Sequence, residues 1–246
     1  MTFDRVDSAR LQRQIADLMT RVQRHADTDV PLALDELAAG AAELIPGAQY
    51  AAVTVATDNN IVDTPAATHR YPAILDDIQH DVREGPYLQL AMDKEPIRID
   101  DLEQETRWPT YCRLALERTP IRSLLKFPLA SSTHTLGALT VCSDTPHAYD
   151  EHAFDVAHAY ATHASLAWDA LRRKEQFATA LATRDIIGQA KGIIMERYRC
   201  SADHAFGLLK KLSQETNRPL RDVARQLVDA DAPMAEADDA GVNPGG

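Results

Sequence analysis

Apolar residues recur along this chain with two periods, and each change of period marks an element. Residues 8–26 and 32–45 have helical spacing. In the second stretch Leu32, Leu34, Leu37, Ala38, Ala41 and Leu44 fall mostly on one face, and Pro46-Gly47 stops it. QYAAVTVAT (49–57) is a β-type run of small and β-branched residues, closed by Asp58-Asn59-Asn60. Residues 72–93 predict a helix interrupted at Gly85-Pro86. PIRID (96–100) alternates as a short strand, and 108–118 return to helix. SLLKFPLA (123–130) and TLGALTVCS (135–143) predict consecutive strands joined by a turn at SSTH (131–134). Pro128 has no N–H for a ladder, which restricts the first of these strands to an edge or irregular position. Helices mixed with hairpin-connected strands predict an α+β domain, an antiparallel sheet with helices packed against it.

After Asp150, a suitable N-cap, the pattern changes. As far as Tyr198 there is no proline, and glycine occurs only at 188 and 192. Phe154, Ala157, Ala161, Ala164, Trp168 and Leu171 follow the 3-4-3-4-3 spacing of a heptad seam, which weakens at Glu175 and continues loosely through Ala178 and Leu181 or Ala182. A helix packed on its own sheet satisfies 150–168. The charged RRKEQ at 172–176 suits that packing less, and we favour a long helix that pairs in parallel with a second copy, giving a homodimer. Two short helices follow. Ser201 caps 202–216, whose apolar face is Ala205, Leu208, Leu209 and Leu212 with Phe206 beside it. Asn217 ends that helix, and Pro219 opens 219–230 with its stripe of Leu220, Val223, Ala224, Leu227 and Val228. The acidic, Pro/Gly-containing end predicts a disordered tail over 232–246. The division expected is an N-terminal helix (1–27), a sheet domain (28–168), a coiled-coil linker with a helical module (169–231), and the tail.

Composition narrows the class. Of 246 residues 45% are apolar, enough for a real core. No apolar run approaches the roughly 18 residues of a membrane span, and MTFDRVDSARLQRQ lacks the hydrophobic segment of a secretory signal. Cys112, Cys142 and Cys200 lie far apart with no CxxC pair, so reduced thiols and a cytoplasmic location are expected. A net charge of −11 taken whole argues against nucleic acid, yet residues 172–226 hold 12 Lys/Arg against 6 Asp/Glu. Such asymmetry suggests an acidic body joined to a basic effector segment; solvated helix faces explain the charge alone equally well.

Catalytic signals are absent: there is no Ser-His-Asp, P-loop or dinucleotide fingerprint, and no enzyme activity or cofactor is expected. His147, His152, His158 and His163 have spacings that do not stack two imidazoles on one helix face as i, i+4 does, so no metal site is assigned. Arg98, Trp108, Tyr111 and Arg122 suit a pocket lining and suit core and surface equally. No ligand residues are assigned.

IIGQAKGIIMERYRCSADHAFGLLKKLSQETNRPLRDVARQLV (186–228) resembles an ANTAR domain, the three-helix RNA-binding module of bacterial transcription antiterminators. The resemblance rests on the AKG-I-I-M core, the S-x-x-x-A-F-x-L-L second helix and the N-x-x-L-x-x-V-A third helix. His204 departs from it, standing where an acidic residue usually completes a capping box. REGPYLQLAM (83–92), IRIDDLEQETRWPTY (97–111) and TLGALTVCSDTPHAYDEHA (135–153) resemble segments of GAF sensor domains fused to ANTAR modules in actinobacteria. The resemblance implies a GAF-like antiparallel sheet, a long coiled-coil helix and an all-α three-helix ANTAR domain. It also implies a sensory role that names no ligand, and binding to hairpin loops in transcript leaders.

RNA loops are recognised by cations on phosphates, by amides on exposed base edges, and by close packing on unstacked bases. Residues 189–197 offer such a set: Gln189 to read base edges, Lys191 for phosphate or a base acceptor, Gly192 for close approach, and Arg197 nearby. Asn217, Arg218 and Arg221, at the junction of the last two helices, are candidates for the same RNA. Three of them have a bland counterpart. Gly192 also suits close helix packing, Lys191 also suits snorkelling past apolar neighbours, and Arg218 also suits capping a helix end. Rival functions are a small-molecule sensor whose helical C-terminus mediates protein–protein signalling, and DNA binding. The latter is disfavoured by a third helix that is mostly an apolar stripe.

Overall fold

The computed structural model describes residues 3–26, 29–56, 62–129 and 137–231. It divides into two compact units, Met1–Lys174 and Glu175–Gly246. The turn expected at Asp58-Asn59-Asn60, the SSTH turn and the 232–246 tail lie outside the described residues.

The first unit contains helices α1 (Phe3–Ala26) and α2 (Val30–Leu44), strands β1 (Tyr50–Ala56) and β2 (Val62–Ala67), helices α3 (Arg70–Val82) and α4 (Pro86–Asp93), strand β3 (Ile97–Ile99), helix α5 (Pro109–Arg118) and strands β4 (Ser123–Leu129) and β5 (Gly137–Ser143). It also holds the start of the long helix α6 (Glu151–Tyr198). The five strands lie in the order β2-β1-β5-β4-β3, every neighbouring pair antiparallel. The fold is α+β.

Strand alternation gives the sheet two apolar faces. Ala51, Val53 and Val55 of β1, Leu125, Phe127 and Leu129 of β4, and Leu139 and Val141 of β5 join α1, α2 and the first part of α6 in one core. Leu124, Ala138 and Cys142 join Leu75 and Ile78 of α3, Tyr87 and Leu90 of α4, and Tyr111, Cys112 and Ala115 of α5 in the other. Helices therefore cover both faces, and β5 is buried along its whole length. Side-chain caps start two of the helices, α6 at the predicted Asp150 and α2 at Asp29, just ahead of the predicted 32–45 stretch. Asp29 Oδ1 accepts from Leu32 N at 3.1 Å, and Asp150 Oδ1 accepts from Ala153 N at 2.8 Å.

Three expectations need correction. Strand β2 has no counterpart among the predicted elements: VDTPAA buries only Ala66 and carries Pro65, a composition tolerated because β2 is an edge strand. Strand β4 is not at an edge, since β3 and β5 flank it. However, β3 ends opposite Lys126, so at Pro128 the strand has a neighbour only on the β5 side and the missing N–H costs no ladder bond to β3. The heptad-spaced residues of α6 are claimed within the chain. Ala157, Ala161, Ala164, Trp168 and Leu171 are buried against the unit's own sheet and helices, with Phe154 packed alongside, so these residues form no seam for a second copy, while Leu166 between them stays 67% exposed.

The second unit comprises α6 from Glu175 onward, α7 (Ala202–Thr216) and α8 (Leu220–Asp231). Its core is small: Ala190, Ile194, Ala205, Leu209, Val223 and Ala224, flanked by partly buried Ile186, Ile187, Leu220, Leu227 and Val228. Helix α7 buries less of its apolar face than its spacing suggests, with Phe206, Leu208 and Leu212 remaining 41%, 37% and 47% exposed. Ser201 Oγ accepts from His204 N at 3.3 Å to start α7, and Asn217 closes it in the left-handed region (φ 51°). Among the described residues no helix is long and apolar enough to cross a membrane.

Candidate nucleic-acid interface

The AKG segment lies inside α6, and helical geometry separates its residues. Ala190 is fully buried against α7 and α8, which fixes the orientation of the helix. Lys191 is half-buried and lines a groove of about 570 Å³ with Ala180, Thr183, Arg184, Ile187 and Gly188 of α6 and Phe206 of α7. Residues 180, 183, 184, 187, 188 and 191 are the successive i, i+3, i+4 positions of one helix face. The groove lining holds two cations, an aromatic ring and no acid.

Gln189 is exposed, but at 100° per residue it sits about 160° around the helix from Lys191, on the opposite side. Gly192 is exposed, and a Cβ placed there would meet nothing within 4 Å. Close packing inside the unit therefore gives no reason for this glycine. Arg197 comes round to nearly the same azimuth as Ala190 and forms an ion pair with Asp231 at the end of α8. At the α7–α8 junction, Arg218 Nη1 donates to Gln226 Oε1 at 2.7 Å, and its carbonyl accepts from Ser213 Oγ at 2.6 Å. Arg221 lies 3.5 Å from its neighbour Asp222. Asn217 is the exposed left-handed cap of α7. The candidate residues thus occupy separate places: Lys191 in the groove, Gln189 and Gly192 on other faces of α6, Arg197 against α8, and Asn217, Arg218 and Arg221 at the junction. The groove adds Arg184 and Phe206. The seven-residue interval from Arg184 to Lys191 is visible in the sequence, whereas the approach of Phe206 needs the tertiary fold.

The first unit has its own polar centre. Asp76 of α3 is buried, pairing with Lys126 Nζ at 2.9 Å and accepting from Thr54 Oγ1 (2.6 Å), Thr64 Oγ1 (2.9 Å) and Gln79 Nε2 (3.0 Å). Gln79 Oε1 accepts from Tyr87 N at 2.6 Å, which locks the start of α4. Gly85 adopts φ 143° between these helices, and a side chain there would strike Gln79. Beside this centre lies a groove of about 590 Å³ lined by Val62, Gln79, His80, Asp81, Arg83, Tyr87 and Leu88. Tyr111 and Trp108 are core residues, and burial pushes the Tyr111 phenol well up. Arg98 is engaged by Asp100 and Glu151, and Arg122 by Asp101 and Glu103. Burial also raises the Cys112 thiol to about 12, leaving it protonated at neutral pH.

The chain thus joins a helix-covered antiparallel sheet with an internal polar centre to a separate three-helix unit that carries its own small core. Comparison with known families specifies it. The GAF domain family matches residues 27–169 and the ANTAR domain family residues 175–228. The chain belongs to the GAF-domain family and has the GAF–ANTAR architecture of antiterminator regulators. Solved structures with a similar fold are of low identity. The N-acylhomoserine lactone-dependent LuxR-family transcription factor CepR2 from Burkholderia cenocepacia is 18% identical, with 65% of this chain and 93% of that one covered and a TM-score of 0.51. The chromophore-binding domain of a bacteriophytochrome from R. palustris is 13% identical, with 68% and 63% covered and a TM-score of 0.52. The phycoerythrobilin-bound GAF domain of a cyanobacterial phytochrome is 12% identical, with 65% and 97% covered and a TM-score of 0.50. No curated protein matches the chain.

Proposed function

We propose that this protein is a signal-responsive, non-enzymatic regulator of transcription antitermination in the cytoplasm. Its GAF unit responds to a small molecule, and its ANTAR unit binds tandem hairpin loops in nascent RNA. Holding those hairpins prevents a terminator from forming, and transcription reads through. The observation that carries this function is the placement of Lys191 in an acid-free groove of α6, with the open backbone of Gly188 in the same lining. Gln189, Arg197, Asn217, Arg218 and Arg221 supply further amides and cations on the same small unit. Two copies of the chain give avidity for two hairpins without added contacts at either. With Ala157, Ala161, Ala164, Trp168 and Leu171 committed to the sensor core, pairing falls to exposed apolar positions of α6, Leu166, Phe177 and Leu181, which are 67%, 72% and 48% exposed.

One observation favours a second function, protein–protein signalling: Leu208 and Leu212 lie one turn apart on α7 and stay exposed. Recovery and sequencing of RNA crosslinked to the protein in cells separates the two. Antitermination predicts enrichment of paired hairpins upstream of terminators. Recovery of no RNA above background supports signalling through a protein partner instead.

A further inference from the structure

We propose that the α6–α7 groove seats one unpaired nucleotide of the bound RNA, its base stacked on Phe206 and its flanking phosphates met by Arg184 and Lys191. The proposal rests on RNA binding by this unit and adds the place where a loop nucleotide is held. The groove, at about 570 Å³, falls within the range of roughly 300–1,000 Å³ that accommodates small organic groups. Phe206 is 41% exposed beside it, although burial in the neighbouring core would hide more apolar surface. Splayed bases stack on exposed rings in this way, whereas paired bases inside a duplex present no free face.

The floor and ends fit the same occupant. Gly188 weakens the helix interior, yet a Cβ there would meet nothing within 4 Å, so the chain's own packing does not require it. An external group that approaches the backbone does. Arg184 and Lys191 are two turns apart, about 10 Å along the axis, and close the two ends of the floor with positive charge. Thr183 contributes a hydroxyl able to donate to or accept from a sugar or base edge. A second copy of α6 fits this stretch poorly. In a parallel two-fold pairing along this face Arg184 and Lys191 would each confront their own copies, and like charges at such positions repel.

The test uses the full chain with a pool of tandem RNA hairpins carrying randomised loops, at fixed salt. Phe206→Leu is expected to weaken binding about fivefold or more, the effect of losing one base–aromatic stack. Phe206→Trp retains affinity, thermal unfolding of both variants matches the parent, and ultraviolet crosslinking places a nucleotide on the peptide containing Phe206. If Lys191→Ala weakens binding while Phe206→Leu binds as the parent does, the groove assignment falls and RNA binding stands. If the parent protein binds the pool no better than it binds scrambled single strands, the hairpin-binding function itself falls. If Phe206→Leu or Arg184→Glu shifts the monomer–dimer equilibrium in sedimentation and leaves RNA affinity unchanged, the groove holds a second copy and the proposal is overturned.

Discussion

Lys126 of β4 and Asp76 of α3 form a 2.9 Å ion pair inside the sensor unit, with side chains only 2% and 4% exposed. Thr54, Thr64 and Gln79 satisfy the remaining carboxylate positions, and the Lys126 ammonium lies 5.2 Å from the centre of the Tyr87 ring. The pair therefore links β1, β2, α3 and β4. Removing one partner strands the other charge in the core. Lys126→Met is expected to lower stability by about 3–5 kcal/mol, and the double replacement Lys126→Met with Asp76→Leu to recover much of that loss. Urea unfolding of the single and double variants checks this; a double variant as unstable as the sum of the singles contradicts it.

Asp101 gives the sensor unit a pH dependence of known sign. Burial alone would raise its pKa. The Glu103 N–H, the Gln104 amide and the Arg122 guanidinium outweigh that and hold it below the ordinary carboxylate value. Because the folded pKa lies below the unfolded value of about 3.9, ionised Asp101 stabilises the fold above that pH. The contribution is lost as pH falls through the folded pKa. Asp101→Asn should therefore cost about 1–3 kcal/mol at neutral pH, with the gap from the parent narrowing in acid. Urea midpoints at neutral pH and below about pH 4 measure it, and a gap independent of pH counts against the ionised pair.

Gly192 separates stability from function. In the sensor unit a side chain at Gly40 or Gly137 would run into Leu18 or Trp168, so internal packing explains those glycines. Around Gly192 there is open space. Gly192→Ala is expected to stabilise the helix by up to about 1 kcal/mol and, where RNA approaches the backbone, to weaken RNA binding. A variant that gains stability and keeps full RNA affinity removes Gly192 from the interface.

How much of this is legible in the sequence depends on whether the deciding interaction is local. Asp150, Ser201 and Asn217 act on their own helix ends, and each marks a boundary. Gly85-Pro86 likewise divides α3 from α4. The edge strand β2 gives almost no pattern because Ala66 alone is buried and Val62 is only partly covered by the second core. The spacing of Ala157, Ala161, Ala164, Trp168 and Leu171 is the same for a helix on a sheet and for a paired helix; only the distant partners, such as Phe127 and Tyr149, decide between them. For the candidate site, the AKG motif picks out Lys191, but the neighbours of that lysine depend on how α7 crosses α6, which local spacing does not encode. Similarly, Gln189 and Lys191 are close in sequence and face opposite ways.

Asn217 offers a variant that removes a side chain without disturbing the turn. It occupies the left-handed region at φ 51° and ψ 37°, where glycine fits as well. Asn217→Gly should leave stability within about 0.5 kcal/mol of the parent while lowering RNA affinity, whereas Asn217→Ala should lower both. Hairpin-RNA titration alongside thermal unfolding distinguishes them. Parent-like affinity for Asn217→Gly confines this residue to a capping role.

The most direct test is a titration of the full chain with tandem-hairpin RNA, the same RNA scrambled to single strand, and duplex DNA, across a salt series and with Lys191→Ala in parallel. The account predicts preference for the hairpins, affinity that falls linearly on a log–log salt plot, and a folded Lys191→Ala variant with weaker binding and a shallower slope. Equal affinity for scrambled RNA, preference for duplex DNA, or parent-like hairpin binding by Lys191→Ala contradicts it.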